Sequence, residues 1–172
     1  ANASFSPVSA VTSGVADLRR IVGEARENQA MHQQKTILFV DEIHRFNKSQ
    51  QDVILPHVED GTVIFIGATT ENPSFEVISP LLSRCRVFTL EALSPEHVED
   101  IVRRALVNQV TGLGKLNAEL DSGALEQLVI VANGDARVAL NALETAVFAV
   151  ETDDHGRRKI DLGIVSDALQ RR

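Results

Sequence analysis

The chain is expected to be an α/β protein, with a parallel sheet core over residues 1–91 and a small all-helical domain over 92–172. Three observations predict this. Residues 36–40, 63–66 and 87–90 are continuous apolar runs of the kind found in strands buried on both faces. Between them, apolar residues recur at helical spacing, and alternating strands and helices indicate a parallel sheet. After Leu93 the strand-like runs stop and only helical periodicity remains.

Each element has a local cause. Residues 5–11 suit a short strand, although Pro7 lacks an N–H and is awkward at a central ladder position. Ser13 is expected to cap a helix, with Asp17 in its first turn and Val15, Leu18, Ile21, Val22 and Ala25 on one face, out to about Gln29. Residues 36–40 form the next strand. Asn47 and Gln50 make a capping box for a helix that passes Pro56 and stops near Gly61. Residues 63–66 are a strand ending at Gly67, residues 74–82 a short helical segment, and residues 87–90 the last strand. Ser94 then precedes Pro95 at a first helical position, with Val98, Ile101, Val102 and Ala105 inward. Ser122, Asp135 and Asp161 open three further helices, joined by polar connections at 115–121 and 151–158.

Composition narrows the function. The 172 residues carry 17 basic and 24 acidic side chains, net −7, and neither half is a basic module. There is no Trp or Tyr, and most of the seven Phe lie in apolar runs, which disfavours a single-strand stacking platform. Cys85 is the lone cysteine, which excludes an internal disulfide and a cysteine-based zinc site and points to a reducing compartment, cytoplasmic or nuclear. His32, His44, His57, His97 and His155 show no metal spacing. No apolar run approaches the roughly 18 residues of a membrane span, so no membrane partner is expected. The chain begins without Met and is expected to be a cut piece of a longer protein.

The chemistry gathers at strand ends. Thr36-Ile37-Leu38-Phe39-Val40 runs into Asp41-Glu42. Two carboxylates ~5 Å apart repel by roughly 3 kcal/mol at an effective dielectric near 20, and Mg²⁺ would reverse that sign. A metal-binding Asp beside a water-polarising Glu has the form of a Walker B element. Thr69-Thr70-Glu71-Asn72 follows another strand, and ligands of open parallel sheets bind at those carboxyl ends. A Thr hydroxyl there can position water or touch a phosphate; equally, Thr70 and Asn72 could satisfy turn backbone before Pro73. Arg137 falls in the first turn of a helix, where a cation is disfavoured unless an anion lies outside or a carboxylate pairs with it. Arg84 and Arg86 bracket Cys85 and suit phosphate contact or surface ion pairs.

Together these residues resemble the AAA+ ATPases, and within them the replication-associated recombination ATPases, whose eukaryotic members are the Werner-helicase-interacting proteins. The resemblance rests on Asp41-Glu42-Ile43-His44-Arg45-Phe46-Asn47-Lys48-Ser49-Gln50-Gln51-Asp52, Gly67-Ala68-Thr69-Thr70-Glu71-Asn72-Pro73-Ser74-Phe75, Leu81-Leu82-Ser83-Arg84-Cys85-Arg86, and Gly134-Asp135-Ala136-Arg137 with Ala139-Leu140-Asn141. It implies a partial AAA+ sheet core followed by a helical lid, with ATP and Mg²⁺ as cofactors of the intact protein. Asp41 would bind the metal and Glu42 would be the general base. Thr70 would be sensor 1, Arg84 an arginine finger acting on a neighbouring subunit, and Arg137 sensor 2. Arg45 and Lys48 are candidates to face DNA phosphates. The implied partners of the intact protein are DNA, replication and repair proteins, and further copies of itself, through an oligomerisation region expected beyond Arg172.

One departure stands out. The P-loop, Gly-x-x-x-x-Gly-Lys-Ser/Thr, does not occur in this sequence. Gly14, Gly23 and Gly61 lack a following Lys-Ser/Thr, and Gly112-Leu113-Gly114-Lys115 lacks the spacing. That loop supplies most of the phosphate grip, so the chain alone is expected to bind ATP weakly or not at all and not to hydrolyse it. Alternatives are a clamp-loader or Holliday-junction-motor type AAA+ subunit, or a non-catalytic partner-binding module on an AAA+-like scaffold. A superfamily 2 helicase would share Asp41-Glu42-Ile43-His44 but requires a second α/β domain, against the helical pattern after Leu93.

Overall fold

Strand β2 (Lys35–Asp41) is the centre of a three-stranded parallel sheet, between β1 (Ala3–Ser9) and β3 (Val63–Gly67). The computed structural model describes residues 3–170, which divide into two compact units between Phe88 and Thr89. In the first unit, α1 (Val15–His32) and α2 (Lys48–Glu59) are the crossovers that parallel neighbours require. The sheet residues Val8, Leu38, Val40 and Val63 form one core with Leu18, Ile21 and Ala25 of α1 and Ile54 of α2. Pro7 lies opposite Phe39 on the edge strand β1, as its missing N–H demands. Asn47 and Gln50 make the capping box, with bonds of 2.9 and 3.0 Å. The helical segment after β3 is two single turns, α3 (Pro73–Glu76) and α4 (Ser79–Leu82).

Three expectations need correction here. Residues 87–90 are not a strand: a strand exists through its ladder, and this run straddles the unit division with Val87, Phe88 and Leu90 exposed and no strand partner among the described residues. The sheet is apolar on both faces but helix-covered on only one among the described residues; Phe5, Ile64 and Ile66 on the other face are 59%, 43% and 45% exposed. Ser13 does not cap α1. Gly14 occupies that position, and its N–H donates to the Asp17 carboxylate at 2.9 Å.

The second unit holds α5 (Pro95–Val107), α6 (Ser122–Ala132), α7 (Ala136–Ala149) and α8 (Leu162–Gln170). Val98, Val102, Leu128, Leu143, Val147 and Val165 are fully or almost fully buried in its core. Asp121, rather than Ser122, caps α6 by accepting the Ala124 N–H. The unit is not wholly helical: β4 (Ala118–Leu120) and β5 (Arg158–Ile160) form a two-stranded parallel ladder. Three residues are too few to display an alternating pattern, so these strands read as polar connections in the sequence.

Candidate functional site

Register brings the two polar strand ends together. Because β2 and β3 are parallel with Val40 opposite Gly67, Asp41-Glu42 and Thr69-Thr70 emerge on the same edge of the sheet. The edge is clamped by the Ala68 N–H to Val40 O at 2.9 Å and the Ile43 N–H to Ala68 O at 3.0 Å. On the other side, the Ala10 N–H donates to Asp41 O at 3.1 Å.

Asp41 is exposed at this tip. One carboxylate oxygen accepts the Glu42 N–H at 3.1 Å, and among the described residues no cation pairs with it. Glu42 adopts φ 53°, ψ 47°, the left-handed region, which costs a non-glycine residue about 1–3 kcal/mol. The surroundings enforce it: the next residue, Ile43, is 2% exposed in the core and begins the 3₁₀ turn Ile43–Arg45, so the chain must reverse at Glu42. The Glu42 carboxylate pairs with Arg45 Nε at 3.0 Å. Both side chains are half-exposed, so the pair contributes at most about 1 kcal/mol. Arg45, read from the sequence as a residue for DNA, here holds the carboxylate beside it.

Thr70 is exposed, and its hydroxyl makes no hydrogen bond among the described residues. Asn72 has a turn role, with its side-chain oxygen accepting the Ser74 N–H at 3.0 Å and capping α3. Two cross-links tie the tips together. His44 Nδ1 lies 3.0 Å from Thr69 Oγ1, which also accepts the Glu71 N–H. Gln51, 1% exposed, donates from Nε2 to Phe46 O and Glu76 O and accepts the Ile78 N–H at 2.9 Å. The sequence reading gave neither His44 nor Gln51 a part in holding the two tips together. Gln51 carried a signal: it shares the inward face of α2 with Ile54 and Val58 at helical spacing, and a polar residue there needs buried partners. His44 and Thr69 are far apart in the chain, and nothing local marks their pairing.

Arg84 lies two residues past the end of α4, after the C-cap Ser83. Its Nη2 meets Glu59 Oε1 at 2.5 Å, and its Nη1 donates to Pro80 O at 2.7 Å and Ser83 Oγ at 3.2 Å. Arg86 stacks over the Phe88 ring at 5.4 Å. Burial pushes the Cys85 thiol up, so it stays protonated at neutral pH and is a poor nucleophile.

In the second unit, Asn133 (φ 45°) and Gly134 (φ 83°) are successive left-handed residues that reverse the chain between α6 and α7. A Cβ at position 134 would lie 2.9 Å from Leu93 O and from Ala92 Cβ, so only glycine fits. Asp135 Oδ1 accepts the Arg137 N–H at 2.8 Å and opens α7. The Asp135 carboxylate is therefore engaged with backbone. The Arg137 guanidinium is exposed at the positive end of α7, with no ion pair among the described residues. A cation there is disfavoured by about 0.3–1 kcal/mol, a cost that a bound anion would remove.

Residues 3–92 match the model of the ATPase family associated with various cellular activities (AAA), and residues 114–172 match the AAA C-terminal domain. The chain belongs to the AAA family of ATPases. Its likeness to the replication-associated recombination ATPases is borne out by relatives. This AAA chain is 48% identical over 171 residues to replication-associated recombination protein A of Haemophilus influenzae, covering 99% of this chain and 38% of that protein. The Escherichia coli K12 protein of the same name is 51% identical over 158 residues, covering 92% and 35%. The ATPase WRNIP1 of Dictyostelium discoideum is 44% identical over 174 residues, covering 98% and 20%. The chain thus spans well under half the length of each. The Thermotoga maritima RuvB Holliday junction branch migration motor has the same fold, with a TM-score of 0.71 at 21% identity, over 97% of this chain and 52% of that one.

Proposed function

We propose that these residues are the central section of a DNA-dependent AAA+ ATPase that acts in replication-fork maintenance, recombination and repair. The observation that carries this reading is the shared sheet edge, from which emerge both Asp41, with no cation partner among the described residues, and Thr70, whose hydroxyl has no hydrogen bond among them. Asp41 fits a divalent cation held largely through water. Among the described residues no three of His, Cys, Asp and Glu converge, so phosphate and water oxygens would complete the shell. Bound Mg²⁺–ATP would supply the scissile phosphoryl group with its charge partly neutralised.

Each residue then has a task. Glu42 accepts the proton of the attacking water, once its carboxylate leaves Arg45. Thr70 donates its hydroxyl hydrogen to the terminal phosphate. Arg137 meets the nucleotide of its own subunit from the lid, and Arg84 meets that of a neighbour. The sequence holds no P-loop, and the open apolar face of the sheet supports the same conclusion, because parallel sheets are buried on both faces. This chain by itself therefore binds ATP weakly and does not turn it over. In the whole protein, Glu42→Gln should lower ATP turnover by about 10²–10⁴-fold while preserving nucleotide binding. Undiminished turnover would remove Glu42 from the base role.

A further inference from the structure

The geometry points to Glu59 as the residue that positions Arg84 for trans action; this rests on the finger role proposed above. Glu59 is the last residue of α2, at the negative end of that helix, where an acidic side chain is disfavoured unless a cation faces it. Its neighbour Asp60 is committed to the turn, accepting the Thr62 N–H at 2.8 Å. Glu59 instead reaches Arg84 Nη2 at 2.5 Å. The platform beneath is fixed, since Ile54 of α2 and Leu81 of α4 are both 0% exposed.

The guanidinium is tethered from two directions. Nη2 is held by the Glu59 carboxylate, and Nη1 by the Pro80 carbonyl and the Ser83 hydroxyl, which itself donates to the same carbonyl at 2.9 Å. An arginine has five N–H donors. Among the described residues three are occupied, which leaves two for oxygens from outside the subunit. Arg84 and Glu59 side chains are each 42% exposed, so the pair orients the fork without hiding it. A flexible arginine loses much of its advantage in a phosphoryl-transfer site through disorder; a carboxylate that fixes the fork removes that loss. Glu59 touches neither nucleotide nor water in this scheme and acts only through Arg84.

The test uses the whole protein with its P-loop and compares Arg84→Ala, Glu59→Ala and Glu59→Gln. Arg84→Ala should lower kcat by about 10³-fold or more. Glu59→Ala should lower kcat about tenfold with KM for ATP unchanged, while Glu59→Gln, whose amide oxygen still accepts from Nη2, should stay within about threefold of the parent. Thermal midpoints of both Glu59 variants should stay within about 3 °C of the parent, as expected for an exposed pair. A mixing experiment isolates the trans role. Glu59→Ala subunits keep their base and Glu42→Gln subunits keep their finger, so mixed assemblies should turn over ATP faster than the mean of the two separate preparations. Mixed turnover equal to that mean, or a Glu59→Ala kcat within twofold of the parent while Arg84→Ala is dead, overturns the proposal. If Arg84→Ala is itself fully active, the finger reading fails first and takes this inference with it.

Discussion

The two units solve the burial problem differently. In the second, four helices and a short ladder enclose Leu128, Leu143, Val147 and Val165 on all sides. In the first, the sheet has a closed face built by α1 and α2 and an open one where Phe5, Ile64 and Ile66 meet solvent. The second unit has the completed core; the first, which carries Asp41 and Glu42, is the one left partly covered among the described residues. The closed core and the strand-tip carboxylates thus lie in different units of the chain.

The largest effect should come from the closed core. Leu143→Ala removes a fully buried side chain and should cost about 2–5 kcal/mol in chemical denaturation. The equivalent truncation on the open face, Ile64→Ala, should cost under about 1 kcal/mol, because much of that side chain is already in water. Equal losses would mean that the open face of the sheet is packed as tightly as the core of the second unit and would erase the contrast.

An intermediate effect is expected at the turn that presents Arg137. Gly134→Ala forces a Cβ onto Leu93 O at a left-handed position and should destabilise the second unit by about 1–3 kcal/mol, read by its thermal midpoint. A silent substitution would show that the turn does not constrain α7.

The smallest effect concerns pH. Hydrogen bonds from the Arg157 and His155 backbone N–H groups, with Coulombic help from Arg157, hold the Asp153 carboxyl below its ordinary range. A depressed folded value means the contribution is present above the ordinary carboxylate pKa and is lost as pH falls through the folded one. The loop before β5 should therefore keep its protection from amide exchange near neutrality and lose it in acid. Asp153→Asn should flatten that dependence; an unchanged profile would assign it to another group.

Much of the site was legible because its causes are local. The change from an apolar run to Asp41-Glu42, the capping box at Asn47 and the cap at Asp135 are written in neighbouring residues. Residues 87–90 misled for the converse reason: their apolar character is local, but a strand needs a partner that local sequence does not name. Glu59 and Arg84 lie on different elements, as do Gln51 and the two carbonyls it binds. No spacing rule links them.

By itself the sequence determined the strand tips at Asp41 and Thr69, the helix starts at Asn47, Ser94 and Asp135, the family and the lack of a Gly-x-x-x-x-Gly-Lys-Ser/Thr run in these residues, since each depends on residue types a few positions apart. Tertiary structure alone decided that Glu42 sits in a left-handed turn against Arg45, that His44 meets Thr69, and that Glu59 grips Arg84. Those contacts depend on strand register and helix packing, which are set by the burial of residues elsewhere in the chain.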